Sequence, residues 1–429
     1  MTGWRVTGAL VRASVTAVVV ALAALVLGRP DLLVLAAPFG LACALGIAHA
    51  PRAPLTSQQR LTDRWLHEGQ GTRLRIRVNA QELDQATVTL ATPAFVVPQP
   101  ASGVVSASSG PEADLDLEVA VSPRRWGVRS AGTPMLAATN TWGGYRWGPQ
   151  RLPEASLVAL PESQAFTSAE SPHPVGMVGQ NRSPRSGDGS EFHAIRRFQP
   201  GDRLRRVHWG TTLRTGEVHT VGTNAQEESS VMILLDAVTD VGVSGGLDGE
   251  ASTLDVAVRA ASALTAHHIH IGDRVALRVL GCTNQVLGPG SGLRHQRRLQ
   301  ELLAQVQPGW PGLLGARHVR FRAGAGTIIV VLSAMLTPEV TTLLVTLARR
   351  GLTIVVVDTL APSTLPEPAH DPRTAARLAW RMRLVERQMQ ITEVTRCGIP
   401  VVPWRGPGTL DEVLRRLVRR SRMPRPVLR

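Results

Sequence analysis

The sequence predicts three consecutive parts: a two-helix transmembrane hairpin, an antiparallel β-sandwich-like module and a doubly wound α/β domain. Three observations carry this reading. Two long apolar runs fill most of residues 1–52, residues 60–160 alternate with a period close to two, and residues 191–429 alternate short apolar strands with helical stretches. Between the last two lies a linker, 161–190, rich in Pro, Ser and Gly and without apolar periodicity.

The first run, Gly8 to Leu27, is about 30 Å long as a helix, which matches the hydrocarbon thickness of a bilayer. Arg12 alone interrupts it, close enough to one end to reach the headgroups. A turn, Gly28-Arg29-Pro30-Asp31, leads to a second run from Leu32 to Ala50. A cleaved signal peptide ending near Ala48-His49-Ala50 is the rival reading, but it leaves the second run unexplained. Arg5 and Arg12 precede the hairpin and Arg52, Arg60 and Arg64 follow it, which places both termini in the cytoplasm of a cell-membrane protein.

In the β module Leu74, Ile76 and Val78 alternate with arginines, and Leu115, Leu117, Val119 and Val121 alternate with Asp114, Asp116, Glu118 and Ala120. Such half-buried strands carry few groups for chemistry. Trp126, Trp142, Tyr145 and Trp147 gather near the end of the module, either as a packed corner or as a ligand platform.

The most distinctive stretch is GSEFHAIRRFQPGDRLRRVHWGTTLRTGEV, Gly189 to Val218. Glu191, Arg196, Arg197, Pro200, Gly201, Asp202, Arg206, His208, Trp209 and Arg214 are its candidate partner-binding or structural residues. Pro200-Gly201-Asp202 forms a turn signal. The arginines read as a charged surface network around the buried Phe192, Phe198 and Trp209, with phosphate binding as the alternative. Strands follow at Val231–Leu235, Arg274–Leu280, Thr327–Leu332, Leu352–Val357 and Pro400–Val402. Helices are expected through Leu254–Leu264 and at Leu293–Val306, Pro338–Arg350, Arg373–Thr395 and Leu410–Arg420, which makes a parallel sheet covered on both faces. In the Arg373–Thr395 helix the stripe Leu378, Met382 and Val385 is expected to cover that sheet.

The Gly189–Val218 segment leading into VMILLD, together with the hairpin, Arg124-Arg125-Trp126-Gly127 and Asn140-Thr141-Trp142-Gly143, resembles the bacterial membrane proteins of the domain-of-unknown-function 58 family, which is similar to von Willebrand factor type A domains. The resemblance implies an uncharacterised membrane-anchored protein, often encoded beside a MoxR-type AAA+ ATPase, and transfers no catalytic residue. Von Willebrand type A domains commonly bind Mg2+ through D-x-S-x-S. Here that stretch reads Asp236-Ala237-Val238-Thr239-Asp240, and Ser333 follows the strand where an acid is often found. Asp236, Thr239, Asp240 and Ser333 thus form a degenerate site, and neither a metal nor another cofactor is expected.

Composition narrows the chemistry. The chain has 429 residues and a net charge of +14, and all 47 basic residues other than histidine are arginine. Without lysine there is no Walker-A loop, Schiff base or kinase lysine, so ATP hydrolysis through such a loop belongs to a partner. Cys43, Cys282 and Cys397 are far apart and suggest neither a disulfide framework nor a zinc ribbon. His267, His268 and His270 read as a surface cluster, and Gly288–Gly292 as a plain turn. No catalytic constellation emerges, so the expectation is a non-enzymatic interaction protein: an adaptor for a MoxR-type AAA+ ATPase or for envelope-related assembly. The alternative is a metal-dependent enzyme or nucleic-acid binder using Asp236, Asp240 and the motif arginines, although nucleic acid is not favoured once the charge is mapped. Arg415 to Arg429 form an acid-free arginine tail suited to anionic lipid headgroups.

Overall fold

The computed structural model describes residues 3–79, 83–108, 114–162, 182–199, 204, 207–226, 230–282, 285–309, 327–361, 364, 375–406 and 409. The chain divides into two compact units, Met1–Pro161 with Gly246–Asp248, and Glu162–Gly245 with Gly249–Arg429.

The first unit opens with a short strand, β1 (Arg5–Val6), and two apolar helices, α1 (Gly8–Val26) and α2 (Leu32–Ala48). Only α1 is long and apolar enough by itself to cross a membrane, and α2 is shorter. They pack against each other through small residues. A side chain on Gly46 would run into Leu10, so glycine there lets the helices approach. Most of their apolar surface is uncovered: Val18, Leu25 and Val34 are 57%, 77% and 73% exposed.

The β module follows with β2 (Thr56–Leu61), β3 (Trp65–His67), β4 (Thr72–Asn79), β5 (Leu83–Ala91), β6 (Val96–Gln99), β7 (Val104–Ser108), β8 (Asp114–Pro123), β9 (Gly127–Ser130), β10 (Thr133–Asn140), β11 (Tyr145–Arg151) and β12 (Ser156–Leu160). Among the described residues, one antiparallel sheet has the order β1-β11-β10-β5-β7 and a second the order β2-β4-β8-β6. Leu74, Ile76, Leu117 and Val119 of the second sheet and Val88, Leu90 and Leu136 of the first share one core. The period of two explains this, because every second side chain points inward. The outward residues of β4 and β8 pair across the strands, with Arg77 Nε 3.0 Å from Asp116 and Arg75 bonded to Glu118. Trp126 and Trp147 are buried as a packed corner requires, whereas Trp142 is exposed.

The second unit contains β13 (Arg182–Arg197), α3 (Trp209–Thr215), β14 (His219–Gln226), β15 (Ser230–Asp236), α4 (Thr253–His270), β16 (Arg274–Leu280), β17 (Val286–Gly290), α5 (Leu293–Leu303), β18 (Ile328–Ser333), α6 (Pro338–Arg349), β19 (Thr353–Asp358), α7 (Ala375–Arg396) and β20 (Val401–Pro403). β13 and β14 pair as an irregular antiparallel ribbon. β13 begins at Arg182, inside the stretch expected as a linker, whose residues 163–181 lie outside the described residues. Ladder bonds use backbone groups that any residue but proline supplies, so the strand leaves no apolar alternation in a Ser/Gly/Arg-rich stretch.

The remaining strands form one sheet in the order β17-β16-β15-β18-β19-β20. β17 is its antiparallel edge and the others are parallel. Leu234, Ile329, Val331, Ile354 and Val356 on one face pack with Val340, Leu344, Leu347 and Val394 from α6 and α7. The alternate residues Ile233, Leu235 and Val330 are equally buried, and α4 packs on β15, β16 and β18.

Three expectations change here. α7 turns Trp380 and Val394 inward, while Leu378, Met382 and Val385 are 61%, 61% and 64% exposed, so the stripe assigned to the sheet faces away from it. His268 is buried with its Nδ1 2.8 Å from Asp273 Oδ2, rather than part of a surface cluster. Gly288 and Gly290 lie in the edge strand β17, and the turn begins only after them. The expected helix at Leu410–Arg420 and the arginine tail lie outside the described residues.

Candidate functional site

In an open parallel sheet, ligands gather beyond the carboxyl ends of the strands where the strand order reverses, which here is between β15 and β18. β15 ends at Asp236 and β18 at Ser333, and the parallel register of Leu235 with Leu332 brings the two side by side. Ser333 Oγ donates to Asp236 Oδ2 at 2.6 Å, the backbone N–H of Val238 donates to Asp236 Oδ1 at 3.1 Å, and the N–H of Met335 donates to Ser333 Oγ at 2.9 Å. Burial pushes the Asp236 carboxyl above the usual carboxylate range, with the bonds from Ser333 and Val238 pulling the other way.

Asp240 points elsewhere. Its Oδ1 accepts from the N–H of Leu254 at 3.0 Å and from Thr253 Oγ1 at 3.3 Å, so its charge sits on the first turn of α4, where the helix dipole favours it. The same turn carries a capping box between Ser252 and Asp255. The hydroxyls of Thr239 and Thr337 are buried without hydrogen-bond partners among the described residues.

This donor set does not fit a divalent cation. Val238 has no ligating atom, Ser333 stands where a second carboxylate would be needed, and Asp240 is engaged by a helix end. An ion of this class prefers several carboxylate oxygens, and Asp236 brings only one carboxylate to this cluster. Among the described residues, no group of three or more His, Cys, Asp or Glu side chains is placed to hold a metal.

Sequence reasoning missed the next layer. β19 ends at Asp358, in register with Ser333. Arg387 of α7 reaches from the helix to pair with Asp358, and its Nε donates to the carbonyl of Ala334 at 2.7 Å. Arg383 donates to the carbonyl of Leu336 one turn away. Two arginines therefore hold the 334–336 loop, and Arg387 and Asp358 are each only 12% exposed. The available signal was the seven-residue spacing of Trp380, Arg387 and Val394, together with the strand ending VVVD, which copies LLD of β15.

The arginine-rich motif is placed apart from these strand ends in the sequence of elements, on β13, α3 and β14. Arg197 Nε lies 2.7 Å from Glu217 Oε2 in an exposed ion pair, and Arg196 donates to the Arg197 carbonyl at 3.2 Å. His208 caps α3, with Nδ1 accepting from the N–H of Thr211 at 3.1 Å, and its own N–H donates to the His219 carbonyl. Arg214 lies in the last turn of α3. Pro200, Gly201, Asp202 and Arg206, and the side chain of Glu191, lie outside the described residues. The expectation of a buried Trp209 is corrected: it is 66% exposed, as are Leu204 at 76% and Leu213 at 82%. None of the seven residues of α3 is buried, so its apolar side chains stay in solvent.

Residues 194–375 match a family described as "Protein of unknown function DUF58". Uncharacterized proteins of Mycobacterium bovis and of two strains of Mycobacterium tuberculosis are 28% identical to the chain over 186 residues, 42% of this chain and 51% of theirs. The matched stretch thus spans about half the length of these curated relatives. The crystal structure of the cupredoxin domain of amoB from Nitrosocaldus yellowstonii is similar at 14% identity with a TM-score of 0.17, covering 28% of this chain and 95% of that one.

Proposed function

We propose that the protein is a membrane-anchored, non-enzymatic interaction protein, whose cytoplasmic von Willebrand type A-like domain serves as an adaptor for a MoxR-type AAA+ ATPase or for envelope-related assembly. The observation that carries this reading is the exposed surface of the arginine-rich motif. Leu204, Trp209 and Leu213 stand in solvent on the same segment of chain that carries Arg197 and Arg214. Trp and Arg dominate the centres of protein interfaces, and exposed apolar clusters rimmed by charge mark docking sites.

Other features support the parts of the proposal. The strand order with its antiparallel edge, and helices against both faces, suit a doubly wound von Willebrand type A-like domain. The hairpin supports two spans. Thr7 before α1 bonds to Gly143 and Gly144, and Asn140 bonds to the carbonyl of His49 after α2, so both ends of the helix pair start from one side of the β module. If α1 crosses a membrane, α2 has to return. The arginine tail would add attraction to anionic headgroups. The ill-fitting donors around Asp236 offer a metal-dependent reading no support, and we propose that no cofactor is used.

The test is affinity purification of the full chain from native membranes, with ATP, ADP and a slowly hydrolysed ATP analogue, and identification of the captured proteins by mass spectrometry. A MoxR-type ATPase should be recovered with the wild type and lost with Trp209→Ala/Leu213→Ala, a pair of surface changes that leaves the melting temperature unchanged. Failure to recover any such ATPase in every nucleotide condition overturns the adaptor reading.

A further inference from the structure

The base of the helix hairpin carries three side chains that the proposed function does not use. β1 is the edge strand of its sheet, and its antiparallel register sets Arg5 directly opposite Arg146 of β11. Trp147 is buried and the adjacent Arg146 is on the outer face, and both arginines are exposed. Like charges directly opposed across a strand pair repel, and neither of these makes an ion pair or side-chain hydrogen bond among the described residues. Next to them in the chain, the turn Thr141–Gly143 packs against α2. Trp142 occupies that turn at φ 71°, the left-handed region that a bulky residue adopts only under constraint, and its indole is 61% exposed.

The facing arginines and the exposed indole are each unfavourable in water, and both are explained by one surrounding. Arg5 lies three residues before Gly8, so at most about 10 Å of chain separates it from the first turn of α1. The headgroup layer is roughly 5 to 7 Å deep on each side of the hydrocarbon, and an arginine side chain bridges the remaining gap. Tryptophan is the residue that settles at this depth, with its ring among the acyl boundary and its N–H in the polar layer. A phosphate between two guanidinium groups turns their repulsion into two charge-assisted hydrogen-bonded contacts.

We propose that Arg5 and Arg146 form a binding site for the phosphate of an anionic phospholipid headgroup, with Trp142 anchoring the β module at the same interface. The site rests on the membrane-anchor reading and deepens it: the module is seated on the bilayer instead of hanging from it. It is separate from the arginine tail, because it is built on the folded edge of a sheet.

Full-length protein in neutral detergent is titrated with phosphatidylglycerol, with phosphatidylcholine and with inorganic phosphate, and both the melting temperature and the lipid retained in native mass spectrometry are read. Phosphatidylglycerol should raise the wild-type melting temperature and remain bound. Arg5→Gln/Arg146→Gln should melt no lower than wild type without lipid, because the repulsion is gone, and bind phosphatidylglycerol roughly tenfold or more weakly. The tail is unchanged in this variant, so its contribution cancels. Trp142→Phe in nanodiscs should remove a component of tryptophan quenching by brominated lipid. Equal phosphatidylglycerol retention in wild type and the double variant overturns the proposal, as does an equal shift from inorganic phosphate. Carbonate extraction separates the two levels: wild type released from the membrane sinks the anchor itself, whereas a retained protein without lipid selectivity sinks only the site.

Discussion

Asp236 sits where the strand order reverses, the place at which this kind of sheet usually does its chemistry, and burial there pushes its carboxyl above the usual carboxylate range. The consequence for stability has a definite sign. Burial holds the folded carboxyl above its unfolded value of about 4, so the folded state keeps a proton that the unfolded chain releases. The stability this group contributes is complete below about pH 4 and is lost as pH rises toward the raised folded value. Asp236→Asn supplies a neutral side chain that still bonds Val238 and Ser333. Thermal melts from pH 4 to pH 8 should show the variant gaining on wild type as pH rises, with the difference smallest near pH 4. A variant less stable than wild type at pH 8 would show that the ionised carboxylate is wanted there. Asp236 itself was legible in the sequence as the acid ending an apolar strand. Its protonation preference was not, because that depends on Ser333, 97 positions away, and on how completely the loops cover both.

Among the elements, the strands and helices with one apolar face were legible because their periodicity records which face is buried. β4 and β8 show this directly, with inward aliphatics and an outward ladder of Arg with Asp or Glu. α7 was legible as a helix and not as an orientation. Its apolar stripe at 378, 382 and 385 was the obvious inner face, but the structure places Trp380, Arg387 and Val394 inward, where Arg387 meets a carboxylate and a carbonyl and Val394 joins the core. The inner face mixes a charged residue with apolar ones, so the apolar stripe did not mark it. Arg387→Ala removes the partner of a largely buried Asp358 and frees the 334–336 loop, so it should cost about 3 to 5 kcal/mol in urea unfolding of the full chain. Arg387→Met/Asp358→Asn, which leaves no unpaired charge, should recover much of that loss. Equal damage from the single and double changes would assign the effect to packing along the arginine stem. Ser252→Ala, which removes one half of the capping box of α4, should cost about 1 kcal/mol in the same measurement.

At the scale of the whole molecule, the two-span proposal depends on α2, which has 17 residues and a proline at position 38. At about 1.5 Å per residue it extends only about 25 Å, short of a full hydrocarbon core unless the bilayer thins or flanking residues reach outward. The tie points at Thr7 and Asn140 argue that it returns nonetheless, since a single crossing by α1 would pull its two ends away from a module to which both are bonded. Cysteine labelling decides between these arrangements. In a chain with Cys43, Cys282 and Cys397 replaced by serine, Asp31→Cys reports the loop between the helices and Ser106→Cys reports the β module, whose side chain there is exposed. A membrane-impermeant maleimide applied to intact spheroplasts should label Asp31→Cys and reach Ser106→Cys only after permeabilisation. That result requires two crossings with the module inside, as the arginines flanking the hairpin direct. Labelling of both positions in intact spheroplasts would mean that α1 crosses alone and the module lies outside; labelling of neither would mean that α2 does not cross and that the loop and the module both lie inside.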